Sequence, residues 1–137
     1  MEKIKIETSV SADINKVWNY WTKPEHITKW NFASDDWHCP KSENDLRTGG
    51  KFNSRMEAKD GSFGFDFGGI YNEVIEHKKI AYTMEDGRQA ITNFESQGNK
   101  TKITTLFDPE KTNPIEMQKN GWQEILNNFK KHVEEIN

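Results

Sequence analysis

Residues 115–137 read IEMQKNGWQEILNNFKKHVEEIN, and this stretch decides how the rest of the chain can fold. Its apolar residues recur at helical spacing and project within about 100° on a helical wheel. They are Ile115, Trp122, Ile125, Leu126, Phe129, Val133 and Ile136. The pattern predicts a helix of about twenty residues that begins after Asn113-Pro114. A helix with one apolar stripe must bury that stripe against another element.

The segments before this helix alternate apolar and polar residues with a period of two, which is typical of strands with one buried face. Asp60-Gly61 is a strong signal for a hairpin turn. The predicted strands are residues 3–10, 37–39, 51–58, 62–75, 80–85, 88–95 and 102–107. The short turns between them predict a curved antiparallel meander of six to seven strands, and the glycines in residues 62–75 indicate a bend.

Two short helices are predicted between the first strand and the rest of the sheet. Ser11 or Asp13 can cap the first helix, whose apolar residues form one stripe. They are Ile14, Val17, Trp18 and Trp21. Residues 22–25, TKPE, have the pattern of a capping box with proline in the first turn, which predicts a second helix that presents Ile27 and Trp30. The predicted fold class is therefore α+β.

Large aromatic residues carry most of the apolar area of this chain. Only 33% of its 137 residues are hydrophobic and 30% are charged, but there are eight Phe, five Trp and three Tyr. Each aromatic ring can bury about 150–250 Å². The length predicts a single domain, residues 1–137, with one core.

Charge and hydropathy exclude several classes of protein. The net charge of −3 gives no basic surface for nucleic acid. No apolar run is long enough for membrane insertion, and the N-terminus lacks the apolar core of a signal peptide, so a cytoplasmic location is expected. The single cysteine, Cys39, cannot form an intramolecular disulfide, which fits a reducing compartment.

The C-terminal helix is the one predicted element long enough to cover the apolar face of the sheet. A twisted sheet that bends at glycines curves away from a straight helix, so large side chains either fill the space between them or leave a pocket. Each aromatic residue taken alone is most simply explained as core. Together they predict an apolar cavity whose ligand-binding residues are Trp30, Phe52, Phe65, Phe67, Tyr71, Tyr82, Phe94, Trp122 and Phe129.

Polar strand residues are the candidates to orient a ligand in such a cavity. If Phe52 faces inward, alternation places Arg55 and Glu57 in solvent, where a cross-strand ion pair is the ordinary explanation for them. Tyr71 and Tyr82 are better candidates, because their rings bury readily while their hydroxyls still seek a partner.

The order of elements and a series of short motifs resemble the helix-grip fold of START-like (SRPBCC) proteins, in the branch of the activator-of-Hsp90-ATPase homologues. The motifs are ADINKVW at residues 12–18, WTKPEH at 21–26, Trp30, GGKF at 49–52, DG at 60–61 and GW at 121–122. The resemblance covers essentially the whole chain and is weakest in residues 31–48. It implies relatives that bind lipids, hormones or polyketides, and others that act as enzymes or chaperone partners.

No metal or cofactor site is predicted. Asp35, Asp36, His38 and Cys39 are metal-ligating residue types, but their spacing fits no closed zinc pattern, and a solvated turn explains them better. Adjacent residues of a strand point to opposite faces, so His38 and Cys39 do not form a nucleophilic pair. The remaining histidines, His26, His77 and His132, are expected on the surface.

Three functions remain open from the sequence. The first is a binding protein for a small apolar, aromatic or lipid-like molecule held in the cavity. The second is a protein-interaction domain that stimulates a chaperone ATPase, for which the resemblance is the support. The third is an enzyme of the cyclase or dehydratase kind, which needs a buried acid or base that no spacing reveals. The expected partner is a small hydrophobic molecule, with a protein partner as the alternative, and the chain is a monomer or homodimer.

Overall fold

The computed structural model describes residues 2–135, which form seven strands and three helices. The strands are β1 (Ile4–Val10), β2 (Trp37–Asn44), β3 (Lys51–Ala58), β4 (Gly64–Ile75), β5 (Lys79–Met84), β6 (Gln89–Gln97) and β7 (Lys100–Phe107). The helices are α1 (Ile14–Thr22), α2 (Pro24–Trp30) and α3 (Ile115–Glu135). No helix within these residues is long and apolar enough to cross a membrane.

All seven strands pair antiparallel in one curled sheet with the order β1-β7-β6-β5-β4-β3-β2. Strands β2 to β7 follow one another as the predicted meander, and β1 joins it by pairing with β7. The two edges of the sheet are covered, because α2 packs along β2 and α3 packs along β1. Since α3 also meets α1 and α2, the helices close the open side of the sheet. The predicted helix-grip architecture is confirmed.

Helix α3 carries the core contacts that its apolar stripe predicts. Leu126, Phe129 and Val133 are fully buried, and Trp122 and Ile125 pack against the core from its border. Ile115 was expected in this stripe, and that expectation is wrong because its side chain is 51% exposed. Ile136, the last residue of the predicted stripe, lies outside the described residues.

The first turn of α3 is held by a polar side chain in place of Ile115. Gln118 is buried, and its amide donates hydrogen bonds to the carbonyl oxygens of Glu110 and Asn113 while it accepts one from the Glu110 N–H. These bonds satisfy backbone groups of the preceding loop, so the helix begins on a network of hydrogen bonds.

The two short helices after β1 form where the sequence predicts them, but the second begins differently. Asp13 caps α1 by accepting a hydrogen bond from the Lys16 N–H at 2.9 Å. The capping box expected at residue 22 is wrong, because Thr22 is the last residue of α1 and its hydroxyl donates to the Trp18 carbonyl. Lys23, an extended residue, separates the helices, and Pro24 begins α2.

Strand β2 extends to Asn44, beyond the three residues predicted for it. The pairing of β2 with β3 shifts register between His38 and Lys41, and Pro40 lies in this irregular stretch. Proline cannot donate to a ladder and breaks the alternation that a sequence pattern relies on, which explains why the longer strand was missed.

We expect Gly121→Ala to stabilise the protein. A β-carbon at Gly121 would meet nothing within 4 Å, and glycine inside a helix costs about 0.5–1 kcal/mol relative to alanine. The urea midpoint should rise accordingly. Gly69→Ala is the contrasting variant, because its β-carbon would overlap the Thr83 carbonyl oxygen, and it should lower the midpoint. An unchanged or lower midpoint for Gly121→Ala contradicts the expectation.

Candidate functional site

A cavity of about 260 Å³ lies between the concave face of the sheet and the helices. Helix α2 supplies Ile27 and Trp30 to its wall, and α3 supplies Trp122, Ile125 and Leu126. The opposite wall consists of inward-facing residues of the sheet. Seven of the nine residues predicted to contact a ligand border the cavity: Trp30, Phe52, Phe65, Phe67, Tyr71, Tyr82 and Trp122. Trp21 of α1, which was not among them, is an eighth aromatic ring in the lining.

The alternation of residues in β3, β4 and β5 places these rings on one face of the sheet. The Phe52 ring lies 5.0 Å from the Tyr71 ring and 4.8 Å from the Tyr82 ring. From the helix side, the Trp122 ring meets the edge of Phe67 at 6.2 Å. Trp122 also stacks on Phe107 of β7, with 3.9 Å between ring centres and an interplanar angle of 6°. The rings therefore hold one another in fixed positions from both sides of the cavity.

The two other predicted residues, Phe94 and Phe129, lie behind the cavity wall. Phe129 is fully buried and contacts the rings of Trp21 and Trp30 edge-on at 4.8 and 4.9 Å. Phe94 meets Trp18 and Trp21 at 5.3 and 5.4 Å. Both residues support side chains that line the cavity, and neither borders it directly.

The lining contains hydroxyl and amide groups but no charge. None of the described residues around the cavity is Asp, Glu, Lys, Arg, His or Cys. The Tyr71 hydroxyl donates to Asn44 Oδ1 at 2.5 Å, and the Asn44 amide donates in turn to the Thr22 carbonyl at 2.6 Å. Burial raises the pKa of both Tyr71 and Tyr82, so both phenols stay neutral across the physiological pH range.

The cavity reaches the surface beside a cluster of aromatic side chains. Phe65 borders the cavity and is 42% exposed. Its ring lies 5.9 Å from Trp37 of β2 and 6.2 Å from Phe63, which is 61% exposed. We call Trp37, Phe63 and Phe65 the rim cluster. It forms an apolar surface that adjoins the cavity at Phe65.

The charged residues of β3 lie on the outer face of the sheet, as alternation predicts. Arg55 Nε donates to Glu57 Oε2 at 2.8 Å, and its Nη1 lies 3.7 Å from Asp66 Oδ1 on β4. The hydrogen bond to Glu57, with the nearby Asp66 charge, raises the pKa of the Arg55 guanidinium. These residues form an ordinary surface network outside the cavity.

A sequence model of the family described as "Activator of Hsp90 ATPase homolog 1-like protein" matches residues 11–134. The chain belongs to this family. The AHSA1-like protein from Aeromonas hydrophila is 40% identical in sequence, and the alignment covers 96% of this chain and 93% of that one with a TM-score of 0.88. A protein from Cytophaga hutchinsonii is 51% identical over 97% of this chain and 92% of its own, with a TM-score of 0.84.

More distant structures share the fold alone. A protein from Chromobacterium violaceum superposes with a TM-score of 0.87 at 22% identity, over 98% of this chain and 99% of that one. None of the curated proteins matches the chain. The comparisons thus establish the AHSA1-like family and its fold.

The fold of this family member also brings together two histidines that are 106 residues apart. His26 Nδ1 on α2 and His132 Nε2 on α3 form a hydrogen bond of 3.1 Å, and the Tyr20 ring of α1 stacks on His26 at 3.8 Å. Sequence reasoning placed both histidines on the surface separately. The sequence around each histidine does not indicate the contact, because the contact depends on how α2 and α3 pack against each other.

The second group of potential metal ligands in the sequence, Asp35, Asp36, His38 and Cys39, does not converge on one point. Cys39 is buried, and burial raises the pKa of its thiol, so little reactive thiolate forms at neutral pH. His38 instead faces Glu57, at 3.7 Å. Within residues 2–135, no group of three or more His, Cys, Asp or Glu side chains is arranged to hold a metal ion.

We expect the His26–His132 contact to make stability fall at acid pH. Burial lowers the pKa of both imidazoles, and a charge on His26 lowers the pKa of His132 further. The charged groups around the pair are Lys16, Lys23, Glu25, Lys29 and Glu135. Because the unfolded chain binds protons more readily, the free energy of unfolding should decrease as the pH falls below about 6.5.

The measurement is the urea midpoint at several pH values between 7.5 and 5. His132→Gln removes one imidazole while keeping a side chain that can hydrogen-bond, and it should reduce the loss of stability. His38→Gln, which replaces an exposed histidine on β2, is the matched control and should retain the loss seen in the wild type. Equal pH profiles for wild type and His132→Gln are the result that contradicts the expectation.

Proposed function

We propose that this protein binds a small apolar or aromatic molecule in the cavity between the sheet and α3. The observation that supports this most directly is the lining: eight aromatic rings and no charged residue surround the space within the described chain. Ligand sites are typically concave and mostly apolar, with a few polar groups that set orientation. Ser54, Tyr71, Tyr82, Thr92 and Thr105 are the polar groups of this kind on the sheet.

The volume limits the size of the ligand. Protein interiors contain few voids larger than a water molecule, so about 260 Å³ of space is exceptional. An apolar cavity of about 150 Å³ binds benzene in a well-studied engineered protein. The cavity here therefore suits a molecule of about two fused rings, or an aliphatic molecule of similar size. The rim cluster provides an apolar path for its entry.

The lining favours binding over catalysis. A cyclase or dehydratase needs an acid or base whose pKa lies near the working pH. The titratable groups that border the cavity within residues 2–135 are Tyr71 and Tyr82, and burial raises the pKa of both away from neutrality. Proton transfer at physiological pH therefore has little support from the groups around this cavity.

A protein-interaction role is the second candidate, and it rests on a different part of the surface. The family description names activation of the Hsp90 ATPase. The rim cluster is an exposed aromatic surface of the type enriched in protein interfaces. Stimulation of a chaperone ATPase by the wild type, lost in Phe63→Ala, would support this role, and an unchanged ATPase rate would remove it.

A substitution that fills the cavity tests the binding proposal. We expect Ile125→Trp to place its larger ring in the cavity and to weaken the binding of neutral two-ring aromatics by roughly tenfold or more, because ligand and side chain compete for one space. Binding is followed by amide chemical shifts during titration with naphthalene and its 2-acetyl derivative.

The matched control for this titration lies on the same helix. Met117 is 59% exposed and does not border the cavity, so Met117→Trp adds an equivalent ring in solvent and should leave affinity unchanged. Shifts that saturate at the cavity residues in the wild type support the proposal. No saturable shift with any compound of a neutral aromatic panel overturns it.

A further inference from the structure

One polar group inside the cavity has no partner within residues 2–135. The Tyr82 hydroxyl makes no hydrogen bond to another described residue, although its ring packs against Phe52 and Phe67. Every side-chain nitrogen or oxygen in this part of the chain that is closed off from solvent has a hydrogen-bond partner. The Tyr82 hydroxyl therefore keeps accessible surface. Tyr82 is half-buried and borders the cavity, which makes its hydroxyl the candidate to bond a ligand there.

The polar groups around Tyr82 are already occupied. Its cross-strand neighbour Tyr71 is committed to Asn44. The hydroxyls of Thr92 and Thr105 bond to each other at 2.8 Å, and those of Ser42 and Ser54 do so at 3.1 Å. Trp30 donates its indole N–H to the Tyr20 carbonyl. The fold thus provides protein partners for these groups and leaves the Tyr82 hydroxyl available to a ligand.

The unpaired groups that remain around the cavity are mainly donors. The indole N–H groups of Trp21 and Trp122 have no hydrogen-bond partner among residues 2–135, and indole can only donate. The Asn31 amide, at the end of α2, is also unpaired within that range, but it offers both a donor and an acceptor. An acceptor atom on a ligand can pair with all of these groups, because the Tyr82 hydroxyl and the Asn31 amide can donate as the indoles do.

The lining disfavours a charged ligand, because none of the described residues that border the cavity is charged. The cation that influences the pKa of Tyr82, Arg88, lies outside the lining, where it is bound to Asp86 Oδ2 at 2.7 Å and also donates to the Asp108 carbonyl. Burial keeps the Tyr82 phenol neutral. A carboxylate or ammonium in this space would lose hydration with no opposite charge in the lining, which costs more than one hydrogen bond recovers.

We propose that Tyr82 is the specificity-determining residue of the cavity: its hydroxyl donates a hydrogen bond to an acceptor oxygen, such as a carbonyl, on an uncharged aromatic ligand. This inference rests on the proposed function and adds the chemical class of the ligand. A neutral hydrogen bond formed in an apolar site strengthens binding by roughly three- to tenfold over an analogue that lacks the acceptor.

Three naphthalene probes of nearly equal size test the proposal. 2-Acetylnaphthalene is neutral and has a carbonyl acceptor, 2-isopropenylnaphthalene replaces the carbonyl oxygen with a methylene group, and 2-naphthoate is charged. Dissociation constants are measured by amide chemical-shift titration of the full chain. Tyr82→Phe keeps the ring contacts with Phe52 and Phe67 and removes only the hydroxyl. Tyr20→Phe, whose ring packs on His26 away from the cavity, is the matched control.

The wild type and Tyr20→Phe should bind the ketone about three- to tenfold more tightly than the isopropenyl compound, and Tyr82→Phe should bind the two equally. The amide spectrum of each variant verifies that it is folded. A preference for the ketone that persists in Tyr82→Phe, or that is missing in the wild type, overturns the role of Tyr82. Naphthoate binding as tight as that of the ketone overturns the requirement for an uncharged ligand.

The titrations also distinguish failure of the proposed binding function from failure of the inference about Tyr82. Equal binding of both neutral probes by the wild type leaves the apolar binding function standing and removes only the inference about Tyr82. Absence of binding for both neutral probes removes the binding function, and the inference about Tyr82 with it.

Discussion

The fold depends on burial of the apolar stripe of α3 against a curled sheet. The seven-stranded antiparallel sheet has one apolar face, which must be buried, and two edge strands, which offer unpaired backbone groups. Helix α3 covers the face and packs along β1, while α2 packs along β2. The helices meet each other through Trp30 and Phe129 and through the His26–His132 hydrogen bond. Contacts between α2 and α3 therefore close the side of the molecule that the sheet leaves open.

The shape of the sheet and the stiffness of aromatic rings together produce the cavity. A straight helix cannot follow a curled sheet along its whole length, so space is left between them. Leu126, Phe129 and Val133 fill the space where helix and sheet lie close. Where they diverge, Trp122 bridges from Phe107 to Phe67, and rings from β3, β4 and β5 form the opposite wall. Rigid rings that support one another at their edges hold a space open, whereas flexible chains would collapse into it.

Several features of the site could be predicted because they follow from local periodicity. Alternation along β3 predicted that Phe52 and Arg55 lie on opposite faces, and the structure places Phe52 at the cavity and Arg55 outside it. Predictions at the ends of elements were weaker. Thr22 had the residue pattern of a helix cap, but its hydroxyl bonds back to Trp18 within the preceding helix. Ile115 continued the apolar stripe in sequence, yet Gln118 is the residue that the first turn of α3 buries.

The sequence by itself determined the type and order of the elements and the alternation along the strands, because periods of two and 3.6 residues are properties of neighbouring positions. Only the tertiary structure decided which inward rings border open space and which lie behind it. All four of Phe52, Phe67, Phe94 and Phe129 are phenylalanines of predicted inward-facing stripes. Phe52 and Phe67 border the cavity, whereas Phe94 and Phe129 are buried behind its wall. The tertiary structure also decided which tyrosine hydroxyl is hydrogen-bonded. Tyr71 and Tyr82 are cross-strand neighbours, but only the Tyr71 hydroxyl has a partner, Asn44, among the described residues. Curvature and helix placement set these distances, and they arise from contacts between residues far apart in the chain.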